Sequence, residues 1–99
     1  MIAITRTASI APGKAAYAMR FAHEVAKFVK DKHGTNIDVL LPVGGNPNRI
    51  AWYWRLEGLE QWEALTSKLM TDKKYMDLVA KNSDAFLAGS IHDEIWRSI

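Results

Sequence analysis

The stretch that most constrains the fold is residues 49–63, RIAWYWRLEGLEQWE, where a strand pattern gives way to a helix pattern with almost no connection. Aromatic and β-branched residues favour a pleated, packed surface, so the first half predicts a strand over Ile50–Leu56. From Leu59 the apolar period changes from two to about 3.6, which predicts a helix over Leu59–Met70. The two faces of the predicted strand also differ, with Ile50, Trp52, Trp54 and Leu56 on one and Ala51, Tyr53, Arg55 and Glu57 on the other.

The N-terminal third predicts a strand and a helix. Ile2–Ile10 alternates as a half-buried strand does, except that Arg6 falls on its apolar face. Lys14–Lys32 has the helical period, and its predicted buried stripe consists of Ala15, Ala18, Met19, Ala22, Val25, Ala26 and Val29. Gly34 predicts the end of this helix, because glycine readily takes the left-handed conformation just after a helix C-terminus.

The remaining segments supply two further strands and a short helix. Asn36–Val43 predicts a strand at a sheet edge, since Pro42 has no N–H to donate to a ladder. Gly44–Asn48 predicts the turn into the Trp-rich strand. The C-terminal third predicts, in order, a short helix capped by Thr71 or Asp72, a hydrophobic anchor at Phe86 and Leu87, and a last strand over Ser90–Ile99.

The order strand, helix, strand, strand, helix, strand is the split βαβ arrangement of ferredoxin-like folds, an α+β class. The 99 residues are enough for one domain over 1–99, and right-handed crossovers place the first and third strands in the centre of a four-stranded antiparallel sheet. Helices cover only one face of such a sheet, so we expect the other face and the edges to meet a partner. A homodimer is the predicted assembly.

Composition argues against several classes of function. The chain has no cysteine, which excludes a disulfide framework, a thiol nucleophile and a zinc site built on thiolates. Its 13 basic and 11 acidic residues are scattered along the chain, so nucleic acid is not an expected partner. Neither a signal-peptide pattern nor an apolar run of membrane-spanning length occurs. We therefore expect a cytoplasmic protein with no membrane partner.

Four segments also carry a family resemblance: Gly44–Trp52, Leu59–Glu63, Lys68–Leu69 and Asp72–Tyr75. Together they resemble the dimeric α/β-barrel superfamily, and within it the NIPSNAP-like and antibiotic-biosynthesis-monooxygenase-like members. The resemblance implies two protomers whose sheets face each other in a barrel, with the helices outside and ligand sites between sheet and helices. Cofactor-free oxygenases, haem-degrading enzymes, isomerases and members with no assigned activity share this architecture, so fold alone does not choose among them.

The haem-degrading branch of the superfamily uses an Asn on the first strand, followed further on by a Trp and a haem-ligating His. In this chain the first strand has no Asn, and no His occurs between Trp62 and the third helix. This departure argues against haem degradation, and we expect no cofactor. The three histidines, His23, His33 and His92, are far apart and lack metal-ligand spacing, so no metal site is expected either.

Arg6 and His23 are the two candidates for chemistry. Arg6 lies on the apolar face of a predicted central strand, where a guanidinium needs a partner. One interpretation makes it an anchor for an anion or a carbonyl; the other, which we favour, pairs it with Asp93 or Glu94 on the neighbouring strand. His23 suits general acid–base work by its pKa range, although a histidine in such a position is more often structural or solvated.

A ligand-binding set follows from the aromatic residues on the same elements: Arg6, Tyr17, Phe21, His23, Trp52 and Trp54. These residues, together with Phe28, could wall a pocket for a flat aromatic molecule, or most of them could form the core and the dimer contact. The more polar strand face carries Thr5, Thr7, Asp38, Tyr53, Arg55 and Glu57. The pattern does not decide whether this face lines the barrel or faces the helices.

Two functions fit the sequence. The first is a small homodimeric protein that binds an unidentified small aromatic or apolar molecule, with cofactor-free oxygenation as its candidate activity. The second is a non-catalytic self-association or interaction module. The residues leave open whether the protein is an enzyme.

Overall fold

The computed structural model describes all 99 residues. Its elements, in chain order, are β1 (Ile2–Ser9), α1 (Ala15–His33), β2 (Asp38–Leu40), β3 (Arg49–Leu56), α2 (Leu59–Met70), α3 (Lys73–Lys81), a 3-10 turn (Ser83–Ala85) and β4 (His92–Arg97). The predicted βαββαβ order is confirmed, and the predicted bounds of α2 agree with the structure. None of the helices combines the length and the apolar character needed to cross a membrane.

The four strands form one antiparallel sheet in the order β2-β3-β1-β4. The prediction that the first and third strands are central and the other two are edges is therefore confirmed. The register places Ile4 between Trp54 on β3 and Ile95 on β4. Because side chains alternate across a sheet, this register also aligns Arg6 with Trp52 and Asp93 on one face.

All helices lie on one side of the sheet, and the core lies between them and the apolar strand face. The core residues are Ile2, Ile4, Ala8, Ile50, Trp52 and Trp54 from the sheet, with Phe21, Ala22, Val25, Val29 and Leu65 from the helices. Ile4 and Ile50 are almost completely removed from solvent, which contributes about 1.5–3 kcal/mol each to folding. The question left by the sequence is thereby decided: the polar face is the one without helices.

Helix α1 buries most of the predicted stripe, namely Ala18, Ala22, Val25 and Val29, but the stripe is rotated toward Phe21. Ala15 is exposed, and Phe21, which is not part of the predicted stripe, is buried. The helix is turned toward its large aromatic residue because burying a phenylalanine removes far more apolar area from water than burying an alanine. Gly34 ends α1 as predicted, with φ +74° and its N–H donating to the Lys30 carbonyl at 3.0 Å.

Both edge strands are shorter than predicted. β2 spans Asp38–Leu40 instead of Asn36–Val43, and Leu41 and Val43 beyond it are exposed. Pro42 interrupts the ladder there, since it offers no N–H. β4 spans His92–Arg97 instead of Ser90–Ile99, and all of its residues are exposed because the helices do not reach across it.

Of the two residues predicted to anchor the segment between α3 and β4, only Phe86 does so. Phe86 packs against Phe21 and Trp52, with ring centroids 5.7 and 5.9 Å away. Leu87 was predicted to join it, which is wrong: its side chain is 49% exposed. The reason is the extended backbone at Phe86 (φ −127°, ψ 156°), which sends consecutive side chains to opposite sides.

Candidate functional site

The one ion pair that joins a central strand to an edge strand is Arg6–Asp93. The Arg6 Nε donates to Asp93 Oδ1 at 2.7 Å, and Nη2 donates to Oδ2 at 2.8 Å. This two-bond geometry matches the planar guanidinium to the carboxylate. Of the two partners that the sequence offered, Asp93 is confirmed, and Glu94 lies on the opposite face of β4. The side chains of Arg6 and Asp93 remain 34% and 31% exposed, so the pair is accessible from solvent.

Tyr75 on α3 lies near enough to the same guanidinium that each side chain affects the pKa of the other. The hydrogen bonds from Arg6 to Asp93 raise the pKa of Arg6 above its usual value, with a smaller contribution from Tyr75. Burial raises the pKa of the Tyr75 phenol, and the nearby Arg6 charge only partly opposes that increase. Arg6 is therefore a permanent cation and Tyr75 a neutral phenol at ordinary pH, and both present hydrogen-bond donors.

We call the surface beside this cluster, over β1 and β4, the trough; it is open because β4 is exposed along its whole length. Ile95 follows Asp93 on the same face and is 42% exposed, although it is paired with the buried Ile4. The trough is therefore apolar at Ile95 and polar at Arg6, Asp93 and Tyr75. A site of this kind suits a molecule with an apolar body and one oxygen that accepts hydrogen bonds.

Three of the five aromatic residues predicted as pocket walls, Phe21, Trp52 and Trp54, are packed into the core. Trp52 lies edge-on to Phe21 at 6.4 Å between ring centroids, and its indole N–H donates to the Ala22 carbonyl at 3.2 Å. Trp54 packs on Trp62 with centroids 5.8 Å apart and planes tilted by 30°. Their role in the structure is to fix α1 and α2 on β3, which is the alternative role that the sequence allowed.

The structure places Tyr17 and His23 apart from Arg6. Tyr17 donates its hydroxyl to Asp84 Oδ1 at 3.0 Å, and the Lys81 carbonyl lies 3.2 Å from the same oxygen, so it ties α1 to the end of α3. His23 is exposed on α1 and takes part in no hydrogen bond or ion pair. Of the six predicted ligand-binding residues, only Arg6 lies in the trough.

Tyr75 is the member of the cluster that the sequence did not indicate. The sequence predicts a short helix at this position, but the proximity of Tyr75 to Arg6 depends on how α3 lies relative to β1. The available signal was topological, since the second crossover of this fold connects β3 to the outer strand β4 and must carry its helices over that half of the sheet. No group of three or more histidines, aspartates or glutamates is arranged to hold a metal ion.

The fold and the cluster together define the class of protein. It is an α+β ferredoxin-like protein with a polar cluster in an open trough on the helix side of its sheet. Neither protein-family models nor curated proteins give a match to this sequence. Solved structures, by contrast, do match this chain.

Several of the similar structures belong to the two groups named by the resemblance. A NIPSNAP domain protein from Burkholderia xenovorans is 12% identical, with a TM-score of 0.84 over 100% of this chain and 95% of that one. A NIPSNAP family protein of unknown function from Agrobacterium tumefaciens is 17% identical, with a TM-score of 0.82 over 99% of this chain and 87% of that one. A proposed antibiotic biosynthesis monooxygenase from Nitrosomonas europaea is 15% identical, with a TM-score of 0.75 over 100% and 99%. At these identities the likeness establishes the fold, and the resemblance is confirmed at that level.

Proposed function

We propose that this protein binds a small aromatic or apolar molecule carrying an anionic or carbonyl oxygen in the open trough over β1 and β4. The observation that carries the proposal is the pairing of two donors, Arg6 and Tyr75, beside the exposed apolar surface of Ile95. Asp93 holds the guanidinium by both of its oxygens, so the remaining N–H groups are fixed in direction. A ligand oxygen that accepts from Arg6 and Tyr75 would meet preorganised donors.

The same arrangement supports cofactor-free oxygenation as the candidate activity. An electron-rich phenol or enol that loses its proton to solvent would leave an oxyanion, and the two donors would stabilise it. The deprotonated substrate itself is the reductant of dioxygen in such a scheme. His23, the acid–base candidate from the sequence, is exposed and lies outside this cluster. The proposed activity therefore depends on the two donors more than on a base within the chain.

Thermal unfolding with a fixed panel of a naphthoquinone, a polyphenol and haem tests the binding step. A panel member present at 100 times its dissociation constant should stabilise the wild type by about 2.7 kcal/mol. Arg6→Gln and Tyr75→Phe should lose most of that increase in melting temperature. Arg20→Gln, which removes an exposed arginine from α1, is the matched control and should respond as the wild type does. Equal stabilisation of Arg6→Gln would remove the trough from the proposal.

His23→Ala examines the catalytic expectation separately. If His23 accepts the substrate proton, the variant should bind panel ligands normally and lose dioxygen uptake, measured with an oxygen electrode. Unchanged uptake would exclude His23 from the mechanism and leave the donors as the only protein contribution.

We also propose a homodimer formed through the sheet face without helices. Trp96 on this face is 62% exposed, and a sheet face that carries a large exposed aromatic ring usually meets a partner. The non-catalytic module is the second candidate function, and this uncovered face is the observation that favours it. If no panel ligand raises the melting temperature and the protein forms a stable dimer, the result would favour the module over the ligand-binding protein.

A further inference from the structure

The Arg6–Asp93 pair in the trough joins one cation to one anion. Asp93 accepts from Arg6 Nε at 2.7 Å and from Nη2 at 2.8 Å, so the two charges lie side by side. Tyr75 adds no charge to them, because burial raises the pKa of its phenol. The cluster is therefore polar without a net charge, and a ligand in the trough meets the carboxylate as well as the guanidinium.

Asp93 keeps free acceptor capacity beside this pair. An ionised carboxylate has about four lone-pair sites, and Arg6 occupies one on each oxygen. The protein supplies no other donor to these oxygens, and the Asp93 side chain is 31% exposed. A ligand hydroxyl can thus donate to Asp93 while its oxygen accepts from Arg6 or Tyr75.

We infer that Asp93 determines the class of ligand that the trough takes, favouring a neutral molecule with a hydroxyl group over a carboxylate of the same shape. This selection rests on the proposed function and narrows the ligand oxygen to one that carries a hydrogen. A hydroxyl makes a charge-assisted hydrogen bond to Asp93. A ligand carboxylate has no hydrogen to donate, and the charge of Asp93 offsets the attraction that Arg6 alone would exert on it. In the candidate oxygenation, the hydroxyl would lose its proton only after binding.

Three naphthalenes of matched shape test this selection: 2-naphthol, 2-methoxynaphthalene and 2-naphthoate. At pH 7 the first two are neutral and the third is an anion, since phenols ionise at about pH 10 and carboxylic acids at about pH 4. 2-Naphthol should bind about tenfold more tightly than either of the others, because it alone donates to Asp93 and a hydrogen bond to a charged group contributes about that factor. Equilibrium dialysis with ultraviolet detection measures the three dissociation constants.

Asp93→Asn should remove the preference for 2-naphthol over 2-naphthoate. Asparagine keeps an oxygen for Arg6 but has no negative charge, so the guanidinium attracts an anion more strongly. We expect 2-naphthoate to bind about two- to fivefold more tightly and 2-naphthol about two- to fivefold more weakly than in the wild type, as for partly screened charged contacts. The tenfold preference should fall to about threefold or less, and binding of 2-methoxynaphthalene should not change. Asp31→Asn removes an acidic side chain that is 60% exposed on α1, and this control for net charge should behave as the wild type does.

The outcomes distinguish this selection from the proposed ligand site. Equal binding of 2-naphthoate and 2-naphthol to the wild type, with both weakened in Arg6→Gln, would overturn the role of Asp93 and leave the trough as the ligand site. An unchanged tenfold preference in Asp93→Asn would overturn it as well, because another group would then set the preference. If none of the three compounds binds the wild type, the proposed ligand site is refuted together with the selection. The wild-type comparison needs no variant, so it is decisive even if Asp93→Asn does not fold.

Discussion

At the scale of single residues, Asp72 joins two helices that are far apart in sequence. It caps α3 by accepting from the Tyr75 backbone N–H at 3.2 Å, and is one of the two capping residues that the sequence allowed, the other being Thr71. It also meets the C-terminal turn of α1, where Lys32 Nζ lies 2.7 Å and His33 Nε2 3.4 Å from Oδ2. The hydrogen bond from Lys32 lowers the pKa of this carboxyl against the opposing effect of burial. A buried carboxylate with these partners stabilises the fold only while it is ionised.

Two substitutions separate the roles of Asp72. Asp72→Asn keeps a capping oxygen and removes the charge, whereas Asp72→Ala removes both. We expect Asp72→Ala to lower the melting temperature by about 5 °C or more relative to Asp72→Asn, because only the alanine variant loses the cap. Calorimetry at pH 7 measures the difference. Equal melting temperatures would mean that the side-chain cap adds nothing to α3.

The charge of Asp72 has its own pH dependence. The carboxyl has a lower pKa in the folded protein than its ordinary value of 3.8, so its contribution is complete above that value and is lost as the pH falls through the folded-state pKa. The stability difference between wild type and Asp72→Asn should therefore be constant from pH 7 to about pH 5 and shrink below about pH 4. Urea unfolding across this range measures it, and a difference that grows in acid would refute the assignment.

At the scale of elements, the segment after α3 is held to the sheet by one aromatic side chain and a few backbone hydrogen bonds. Phe86 forms a bridge with Ile10 and inserts its ring between Phe21 and Trp52. The Leu87 N–H donates to the Ser9 carbonyl at 2.9 Å, while the Leu87 side chain points to solvent. Phe86 thus holds the segment to the sheet through its side chain, and Leu87 holds it through its backbone N–H.

Phe86→Ala and Leu87→Ala form a matched pair that tests this division. Phe86→Ala should cost about 2–4 kcal/mol of unfolding free energy, near the lower part of the range for aromatic core truncation because Phe86 is partly exposed. Leu87→Ala should change it by less than about 0.5 kcal/mol, since it keeps the backbone bond. Urea unfolding of both variants gives the two values, and a larger loss for Leu87→Ala would contradict the packing described for this segment.

At the scale of the whole molecule, the sheet is apolar toward the helices and polar on the other side. Thr5 lies near the middle of the uncovered face, in register with Tyr53 on β3 and Glu94 on β4. If two copies meet through this face, the centre of the contact contains hydroxyls and charges that need partners across it. Such a dimer is sensitive to one added charge at Thr5.

Thr5→Glu should dissociate the proposed dimer, because it adds a carboxylate beside Glu94 in both copies. Ser67→Glu adds the same charge on an exposed position of α2 and should leave the assembly intact. Sedimentation velocity distinguishes the 11.2 kDa chain from a particle of twice that mass, and circular dichroism checks that both variants are folded. A wild type that sediments as a single chain at all concentrations would refute the dimer.

Local features of the sequence determined the order of elements, the bounds of α2, the end of α1 at Gly34 and the restriction of the α3 cap to Thr71 or Asp72. Each of these depends on residues within a few positions of one another, where periodicity, φ preference and capping act. The core stripe of α1 was predicted less well, because alanine spacing does not show that Phe21 would turn the helix toward itself. The edge strands are shorter than predicted for a different reason: the apolar alternation continues in the sequence beyond the residues that pair with the neighbouring strand.

Only the tertiary structure decided which sheet face the helices cover, which acidic residue pairs with Arg6, and that Tyr75 joins them. Arg6 and Asp93 are 87 positions apart, and their contact depends on strand register, which a shift of one residue would reverse from Asp93 to Glu94. The Trp-rich strand shows the same division. Its sequence predicts a central strand with two unlike faces. In the structure, Trp52 and Trp54 pack under α1 and α2, and their rings are part of the core. Burial against helices removes more apolar surface from water than an open pocket would.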